Sequence, residues 1–243
     1  KNHGKNNYAG FAPFMNESEF ARLLLEQELR GAMRNEELKV FYQPFVSLTD
    51  GAILGVEALM RWQHPRMGML EPDSFLDAAV AAGLAAGLDK YVHQRGLQTC
   101  AQWIRQGHQI ALAINVTPSV LGNEDFLPEL LASCDEFDFP MASLCIELTE
   151  QTLIERRDVV VPMLMNLRQL GARVAVDDFG TGYSSLAYLH ELPLDVLKID
   201  KSFVKDVNQD ARGSSLFSAI IAMSNSLGLD VVAEGIESYE QIR

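Results

Sequence analysis

The sequence predicts an α/β fold in which parallel strands close into a β/α barrel after an initial antiparallel hairpin. Through most of the chain, apolar β-prone runs alternate with segments of helical periodicity, which is the pattern of parallel strands joined by crossover helices. Polar or charged residues also recur where these strands end. In a barrel such strand ends converge on one mouth. In an open doubly wound sheet they would spread along an edge, so convergence favours the barrel.

The predicted elements follow in order along the 243 residues. Apolar residues at roughly helical spacing predict an amphipathic helix over 17–36. Two β-prone runs, 39–47 and 52–62, flank a turn signal at 49–51 and predict the hairpin. Five further strands are predicted over 109–116, 142–148, 172–178, 194–200 and 229–234. The remaining helices are predicted over 73–82, 86–106, 124–134, 158–170, 183–190 and 212–227.

Composition excludes several classes of function. The net charge of −13 disfavours binding to nucleic-acid polymers, which requires a basic surface. No apolar run reaches the ~20 residues that span a bilayer, so no membrane contact is expected within this segment. The three cysteines are widely spaced in apolar stretches, which predicts buried free thiols in a reducing compartment and therefore a cytoplasmic location, although a parent protein could be membrane-anchored. The five histidines form no zinc-ligand spacing with them.

The strand ends carry a set of oxygen ligands. A cluster of buried carboxylates is unfavourable unless a cation neutralises it, and an all-oxygen set suits magnesium or manganese. A helix N-cap or a surface position would explain any single acid of the set equally well. It does not explain five such acids at the strand ends. The set consists of Glu57, Asn115, Glu147, Asp177, Asp178 and Glu234.

Asp177 and Asp178 are adjacent, so they cannot both face the barrel axis if the strand continues. We therefore expect Asp178 to lie where the strand turns into the loop, which gives it a second direction of ligation. Two carboxylates aimed differently suit a pair of metal ions ~4 Å apart, with one carboxylate bridging them.

Three further features allow alternative interpretations. Lys198 and Asp200 share a face of their strand, and Lys198 either orients a nucleophilic water or forms an ion pair with Asp200 or a neighbouring acid. Arg61 either contacts a phosphate or is a surface arginine. The segment 178–185 is either a mobile loop that contacts phosphate or a tight strand-to-helix turn.

Several motifs together resemble the EAL-domain phosphodiesterases, which hydrolyse cyclic di-GMP. The motif that names the family lies within Val56-Glu-Ala-Leu-Met-Arg-Trp62. The resemblance covers residues 17–243, with the matching segments in the family's order. These other segments are 42–44, 114–118, 146–150, 177–186, 197–200 and 233–237.

The resemblance implies a modified TIM-type (β/α)8 barrel whose first strand is antiparallel, and a reaction that yields linear 5′-pGpG. It implies one Mg²⁺ or Mn²⁺ ion bound by Glu57, Asn115, Glu147 and Asp177. It implies a second ion bound by Asp177, Asp178 and Glu234. Ca²⁺ is expected to inhibit, because it accepts loose geometry and polarises water less.

The other implied roles are assigned residue by residue. Lys198 is expected to contact the attacking water, and the predicted catalytic residues are Glu57, Asp178, Lys198 and Glu234. Glu150 is expected to stabilise the loop after Asp178, a loop that the family links to dimerisation, so a homodimer is expected. The predicted substrate contacts are Gln43, Arg61, Asp200 and Glu237.

The resemblance also predicts a domain division. Residues 1–16 resemble the end of a GGDEF diguanylate cyclase domain followed by a linker, which predicts adjacent GGDEF or sensor domains in a parent chain. Residues 17–243 are then an EAL domain, and the last β/α unit of the family, with its glutamine, is expected to be missing. The alternative function is a sensor that binds cyclic di-GMP without cutting it. A more remote alternative is an unrelated barrel enzyme acting on another phosphate ester.

Overall fold

The computed structural model describes residues 13–180, 189–207 and 211–242. The helix predicted over 183–190 falls almost entirely outside these residues, as does most of the predicted N-terminal tail, 1–16.

The strands and helices alternate along the described chain, as predicted. The strands are β1 (Leu38–Val46), β2 (Ile53–His64), β3 (Gly68–Leu70), β4 (Ala111–Asn115), β5 (Leu144–Thr149), β6 (Arg173–Phe179), β7 (Val196–Ile199) and β8 (Asp230–Ala233). The helices are α1 (Pro13–Ala32), α2 (Leu76–Ala81), α3 (Ala85–Arg105), α4 (Pro118–Leu121), α5 (Phe126–Phe137), α6 (Glu150–Glu155), α7 (Arg157–Gln169), α8 (Lys201–Asp206), α9 (Ala211–Ser226) and α10 (Tyr239–Ile242).

The strands form one sheet in the order β1-β2-β4-β5-β6-β7-β8, and β3 pairs with β2. From β2 to β8 along this order, each neighbouring pair is parallel. β1 and β2 form the antiparallel hairpin that the turn signal predicts, and the Ser47 N–H donates to the Ala52 carbonyl at its end. The pairing of β3 with β2 was not predicted, because three residues are too short for a periodic pattern.

Contacts divide the chain into two compact units. The smaller unit contains the residues up to Lys39 together with Arg61–Ala85, and the larger unit contains Val40–Met60 and the chain from Ala86 onward. In the smaller unit Trp62 is completely buried, and its indole N–H donates to Glu37 at 3.1 Å. The ring of Phe75 packs edge-on against Trp62 with the centroids 5.6 Å apart, so this pair forms the centre of that unit.

In the larger unit the parallel strands are apolar on both faces, as expected for a sheet covered by helices. Every residue of β7 is buried, and five of the six residues of β5 are buried. The three cysteines are buried and free, as predicted. Within the described residues, no helix is both long enough and apolar enough to span a membrane.

Several boundaries differ from the predicted ones. The first helix covers Pro13–Ala32 rather than 17–36, and β7 ends at Ile199, so Asp200 lies outside the strand. β2 continues for seven residues beyond Glu57, which therefore is not a strand end. The segment from Gly55 to Ala58 pairs with β4, and the last three residues, Trp62–His64, pair with β3.

Candidate metal centre

The candidate site forms a layer of polar side chains directly above a layer of small apolar ones. The lower layer consists of Ala113, Cys145, Ala175 and Val196, each on a neighbouring parallel strand. Side chains on a strand alternate between faces, so residues two apart lie on the same face. Two positions further along the same strands come Asn115, Glu147, Asp177 and Lys198. The alternation of the strands therefore gathers these four polar side chains together.

The flanking strands add one carboxylate each. Glu57 on β2 stands two residues after Gly55, where a Cβ atom would lie 2.2 Å from the ring of Phe45. Phe45 and Val232 pack against the small apolar layer. Glu234 follows Val232 by two positions, just after β8, and its backbone N–H donates to the Ile199 carbonyl.

Lys198 lies at the centre of four carboxylates. Its Nζ is 3.1 Å from Glu57 Oε2 and 2.8 Å from Glu147 Oε2. It is also 3.0 Å from Asp177 Oδ1 and 2.9 Å from Glu234 Oε1. The side chain of Lys198 is only 5% exposed, so these contacts are shielded from solvent. Of the alternatives for Lys198, the ion pair with neighbouring acids is present. These four partners do not include Asp200, which the sequence also suggested.

The charges of this cluster do not balance. Four carboxylates surround one ammonium group, and the carboxylate of Asp178 lies close to Asp177. Burial raises the pKa of Glu147 to about 8, and the attraction of Lys198 only partly opposes this shift. Burial lowers the pKa of Lys198, but the attraction of Glu147, Asp177 and the other acids outweighs it, and the net shift is upward. The cluster thus favours additional positive charge, either as protons or as cations.

The carboxylates form two groups that share one member. Glu57, Glu147 and Asp177 have ligand atoms within 4.8 Å of one another, and so do Asp177, Asp178 and Glu234. These are the acids that the resemblance assigns to a first and a second ion, with Asp177 in both groups. Asn115 joins the first group, because its Nδ2 donates to Glu57 Oε1 at 2.7 Å.

A β-bulge aims Asp177 and Asp178 in different directions. Val176 pairs with Leu197 and Phe179 pairs with Ile199, so two aspartates oppose the single residue Lys198. Asp178 has a left-handed backbone with φ of 52°, and its N–H donates to Asp177 Oδ1 at 3.0 Å. Asp177 is 9% exposed, whereas Asp178 is exposed to solvent. Asp178 was expected at the turn from strand to loop, but the bulge lies within β6.

The chain after the bulge is held from two sides. The N–H of Gly180 donates to Glu150 Oε2 at 3.3 Å, and Glu150 begins α6 as a buried residue. A Cβ atom on Gly180, whose φ is 96°, would lie 2.5 Å from the ring of Phe203 on α8. Glu150 thus contacts the residue that follows the bulge, and its stabilising role stays a prediction. Most of the segment 178–185, which was predicted as a mobile loop or a tight strand-to-helix turn, lies outside the described residues.

The predicted substrate contacts lie in varied surroundings. Asp200 caps α8, where its Oδ1 accepts from the Ser202 N–H at 2.9 Å. Burial raises its pKa, but its hydrogen bonds with Ser202 and Lys201 and the charge of Lys201 together outweigh burial, and the net shift is downward. Gln43 on β1 is exposed, and so is Glu237, whose backbone N–H donates to Gln241. Arg61 belongs to the smaller unit, where its guanidinium lies 3.8 Å from Glu71. Their contacts with substrate stay predictions.

Two polar residues that the sequence analysis missed lie next to the candidate site. His93 Nε2 is 2.9 Å from the backbone carbonyl of Asn115, and Asp89 accepts hydrogen bonds from Thr117. Both are buried on α3. Their separation of four residues, which places two polar side chains on the apolar side of a helix, is the signal that would have found them.

A sheet of parallel strands that follows an antiparallel first strand is the arrangement of a modified TIM-type barrel. In this chain its centre carries a layer of carboxylates above a layer of small apolar residues. The model of the EAL domain family matches residues 26–243. The chain belongs to the EAL domain family.

Known relatives agree with this assignment. The cyclic di-GMP phosphodiesterase NbdA of Pseudomonas aeruginosa is 40% identical over 98% of this chain and 31% of its own length. The cyclic di-GMP phosphodiesterase PdeR of Escherichia coli is 35% identical over 99% of this chain and 36% of its own length. The chain therefore spans about a third of the length of these relatives.

Solved structures also match. The PaMucR phosphodiesterase in complex with c-di-GMP is 33% identical, with a TM-score of 0.86 over 90% of this chain and 89% of that one. The EAL enzyme Bd1971 in its cAMP- and cyclic-di-GMP-bound form is 29% identical, with a TM-score of 0.86 over 93% of this chain and 62% of that one. These likenesses confirm the predicted fold class.

Proposed function

We propose that this domain hydrolyses cyclic di-GMP to linear 5′-pGpG with the help of two divalent cations, Mg²⁺ or Mn²⁺. The observation that carries the proposal is the pair of carboxylate groups that share Asp177 around the buried Lys198. Relatives named as cyclic di-GMP phosphodiesterases, and a structural neighbour in complex with c-di-GMP, support the choice of substrate.

The donor set fits hard cations. The six candidate ligands offer only carboxylate and amide oxygens, and none is a cysteine or histidine, which zinc and copper prefer. The raised pKa of Glu147, caused first by burial, also indicates that the cluster lacks sufficient positive charge. The first ion is assigned to Glu57, Asn115, Glu147 and Asp177, and the second to Asp177, Asp178 and Glu234.

When bound, such ions polarise phosphate oxygens and lower the pKa of a coordinated water. In the reaction one water adds its oxygen to phosphorus, one P–O3′ bond breaks, and a proton goes to the released 3′ oxygen. In the metal-free cluster, burial lowers the pKa of Lys198, but the attraction of the surrounding acids outweighs it, so Lys198 carries a positive charge there. Its proposed role is to donate a hydrogen bond that orients water or a phosphate oxygen.

The other residues hold the reacting groups in place. Asn115 fixes the Glu57 carboxylate through its 2.7 Å hydrogen bond. The exposed carboxylate of Asp178 is accessible to a ligand from solution. Glu150 binds the backbone N–H of Gly180, directly after β6. Gln43, Arg61, Asp200 and Glu237 are proposed to contact the nucleotide.

The setting of the domain is inferred from its relatives. One relative, 34% identical over 99% of this chain, is the bifunctional diguanylate cyclase/cyclic di-GMP phosphodiesterase MucR of Pseudomonas aeruginosa. We infer that this domain likewise works beside a GGDEF or sensor domain, in the cytoplasm and as a homodimer. Size-exclusion chromatography with light scattering would test the dimer, and a monomer at all concentrations would contradict it.

Incubation with cyclic di-GMP and Mg²⁺ or Mn²⁺, followed by chromatographic separation of the nucleotides, tests the proposed reaction. We expect pGpG, and we expect Ca²⁺ in place of Mg²⁺ to suppress it. Lys198→Met should lower kcat by about 10²–10³-fold, the range found when a group that stabilises developing charge is removed. Lys205→Met, at an exposed lysine on α8, is the matched control and should retain activity.

The outcomes separate the alternatives. Tight binding of cyclic di-GMP in Ca²⁺ with no turnover in Mg²⁺ or Mn²⁺ would overturn the enzymatic proposal in favour of a sensor. Hydrolysis of other phosphate esters without cyclic di-GMP hydrolysis would point to a different substrate. Absence of both binding and turnover would overturn the proposal altogether.

A further inference from the structure

Two buried polar residues on α3 lie beside the acidic centre without belonging to it. Asp89 is 7% exposed and His93 is 5% exposed, although neither neighbours the carboxylate cluster in sequence. They are four residues apart, so both project from the same side of α3. Burial of polar groups costs free energy unless hydrogen bonds compensate for it, so their partners indicate why they are there.

Both residues bind the segment that follows β4. The Asn115 carbonyl lies 2.9 Å from His93 Nε2. A carbonyl only accepts, so Nε2 carries the proton and donates. Asp89 Oδ2 accepts from the Thr117 N–H at 3.0 Å and from the Thr117 hydroxyl at 2.7 Å. The two side chains therefore hold both ends of the tripeptide that begins with Asn115.

The middle of this tripeptide is held by the neighbouring strand. The Val116 N–H donates to the Glu147 carbonyl at 3.0 Å, and Asn115 is in register with Glu147. The side chain of Asn115 then reaches Glu57, as described above. A shift of the tripeptide would move Asn115 relative to both Glu57 and Glu147, which are two of the three acids assigned to the first ion.

Close packing alone does not fix His93 and Asp89. They border a cavity of about 50 Å³, which is lined in part by Val120, Phe126, Leu130 and Ser133. The ring of Phe126 meets that of His93 edge-on, with the centroids 6.1 Å apart. This pocket opens in part to solvent, so on that side the two side chains make fewer packing contacts. The hydrogen bonds to the tripeptide therefore supply the missing constraint.

We propose that His93 and Asp89 are positioning residues that set the location of Asn115, and through it the geometry of the first cation site. The inference rests on the proposed function, because it takes Asn115 as a ligand of that ion. Neither residue touches the proposed ion. Partners of this kind typically change metal affinity or activity by about 10–100-fold when they are removed.

The test compares the wild type with three variants of the whole chain. His93→Leu removes the donor, and His93→Gln replaces it with an amide N–H of similar reach. Cys134→Ala, at a buried thiol on α5, is the control for a general loss of packing. Mn²⁺ affinity of the metal-free proteins is measured by calorimetry, together with kcat and KM for cyclic di-GMP. All measurements are made below the unfolding transition of each form.

We expect His93→Leu to weaken Mn²⁺ binding at one of the two ion sites by about 10–100-fold and to lower kcat, while KM changes little. His93→Gln should recover most of the Mn²⁺ affinity and most of kcat. Cys134→Ala should resemble the wild type in both, even if it unfolds at a lower temperature. If His93→Leu does not fold, Asp89→Asn serves instead, because an amide still accepts from Thr117 but holds it less strongly. A modest loss of Mn²⁺ affinity is then expected.

Two results would overturn the inference, and they differ from each other. If the wild type binds Mn²⁺ and hydrolyses cyclic di-GMP while His93→Leu is indistinguishable from Cys134→Ala, the positioning role is wrong and the proposed function stands. If the wild type neither binds Mn²⁺ nor turns over the nucleotide, the proposed function fails and the inference fails with it.

Discussion

Replacement of Lys198 by methionine removes the positive charge that contacts the four surrounding carboxylates. Each contact joins opposite charges about 3 Å apart, which corresponds to about 5 kcal/mol of gross attraction at an effective dielectric of 20. Repulsion among the acids and desolvation of the ammonium offset most of the sum. The net cost of leaving a buried charge cluster without its partner is about 3–5 kcal/mol.

The assay is chemical denaturation of wild type and Lys198→Met in EDTA, at pH 5 and at pH 8. We expect the variant to lose the full ~3–5 kcal/mol of unfolding free energy at pH 8. The loss should be smaller at pH 5, because at that pH the acids of the variant bind protons in place of the ammonium. A loss of 3–5 kcal/mol also lowers the melting temperature by about 6–20 °C in a domain of this size. Saturating Mg²⁺ should stabilise the variant more than the wild type.

The matched control is Lys205→Met, because Lys205 is exposed on α8 and its loss should change stability by less than about 0.5 kcal/mol. Equal stability of wild type and Lys198→Met in EDTA at pH 8 would refute the assignment of Lys198 as the cation that holds the metal-free cluster together. A loss that is the same at both pH values would refute the role of proton uptake.

Three other perturbations test separate parts of the site. Gly180→Ala should lower kcat, because alanine disfavours the φ of 96° and its Cβ would lie 2.5 Å from the ring of Phe203. Both effects should displace the N–H that binds Glu150, and adding Phe203→Ala should restore part of the activity. Mn²⁺ affinity should rise up to about tenfold per pH unit below pH 8, because the proton on Glu147, whose pKa is about 8, must leave first. Asp178→Asn should lose the second ion while remaining equally stable, since asparagine tolerates the φ of 52°; calorimetric stoichiometry measures the loss.

Each of these has a result that contradicts it. Full activity of Gly180→Ala would show that the close approach of Phe203 to Gly180 does not matter for the reaction. Glu147→Gln should abolish most of the pH dependence of Mn²⁺ binding, and an unchanged dependence would assign the proton to another acid. Binding of two ions by Asp178→Asn would remove Asp178 from the second site.

The raised pKa of Glu147 also fixes the direction in which pH acts on the metal-free domain. Burial raises this pKa from an ordinary value of 4.5 to about 8 in the folded state. The folded state therefore holds a proton that the unfolded chain releases between those values, and stability falls as pH rises from about 5 to about 8. Thermal unfolding in EDTA measures the fall, and Mg²⁺ should reduce it because the ion replaces the proton.

The sequence predicted the composition of the site because strand alternation is a local property. A carboxylate two residues beyond a small apolar residue, as with Glu147 after Cys145, lies on the same face of its strand wherever the strand is placed. Parallel pairing then brings the ends of neighbouring strands together. The acids of the cluster could therefore be named without coordinates, whereas their division between two ions was implied by the family resemblance.

The surroundings of Lys198 could not be predicted in the same way. Its four partners come from four other positions in the sheet, and the distances depend on how far each strand is displaced along its neighbour. The sequence offered Asp200 as an equally good partner, but Asp200 lies beyond the strand and caps α8. Short elements such as α4, α6 and β3 escaped prediction because they contain too few residues to show a period.

The bulge in β6 has a consequence for how such domains lose their chemistry. Because Asp177 and Asp178 together oppose Lys198, the separation of the two carboxylates is set by an extra backbone residue and not by the length of a side chain. Substitutions elsewhere in the sheet leave that separation intact. Deletion of a single residue here would restore regular pairing and merge two ligand directions into one. In this chain, then, deletion at this position is a more direct route than substitution to the loss of one of the two proposed ion sites.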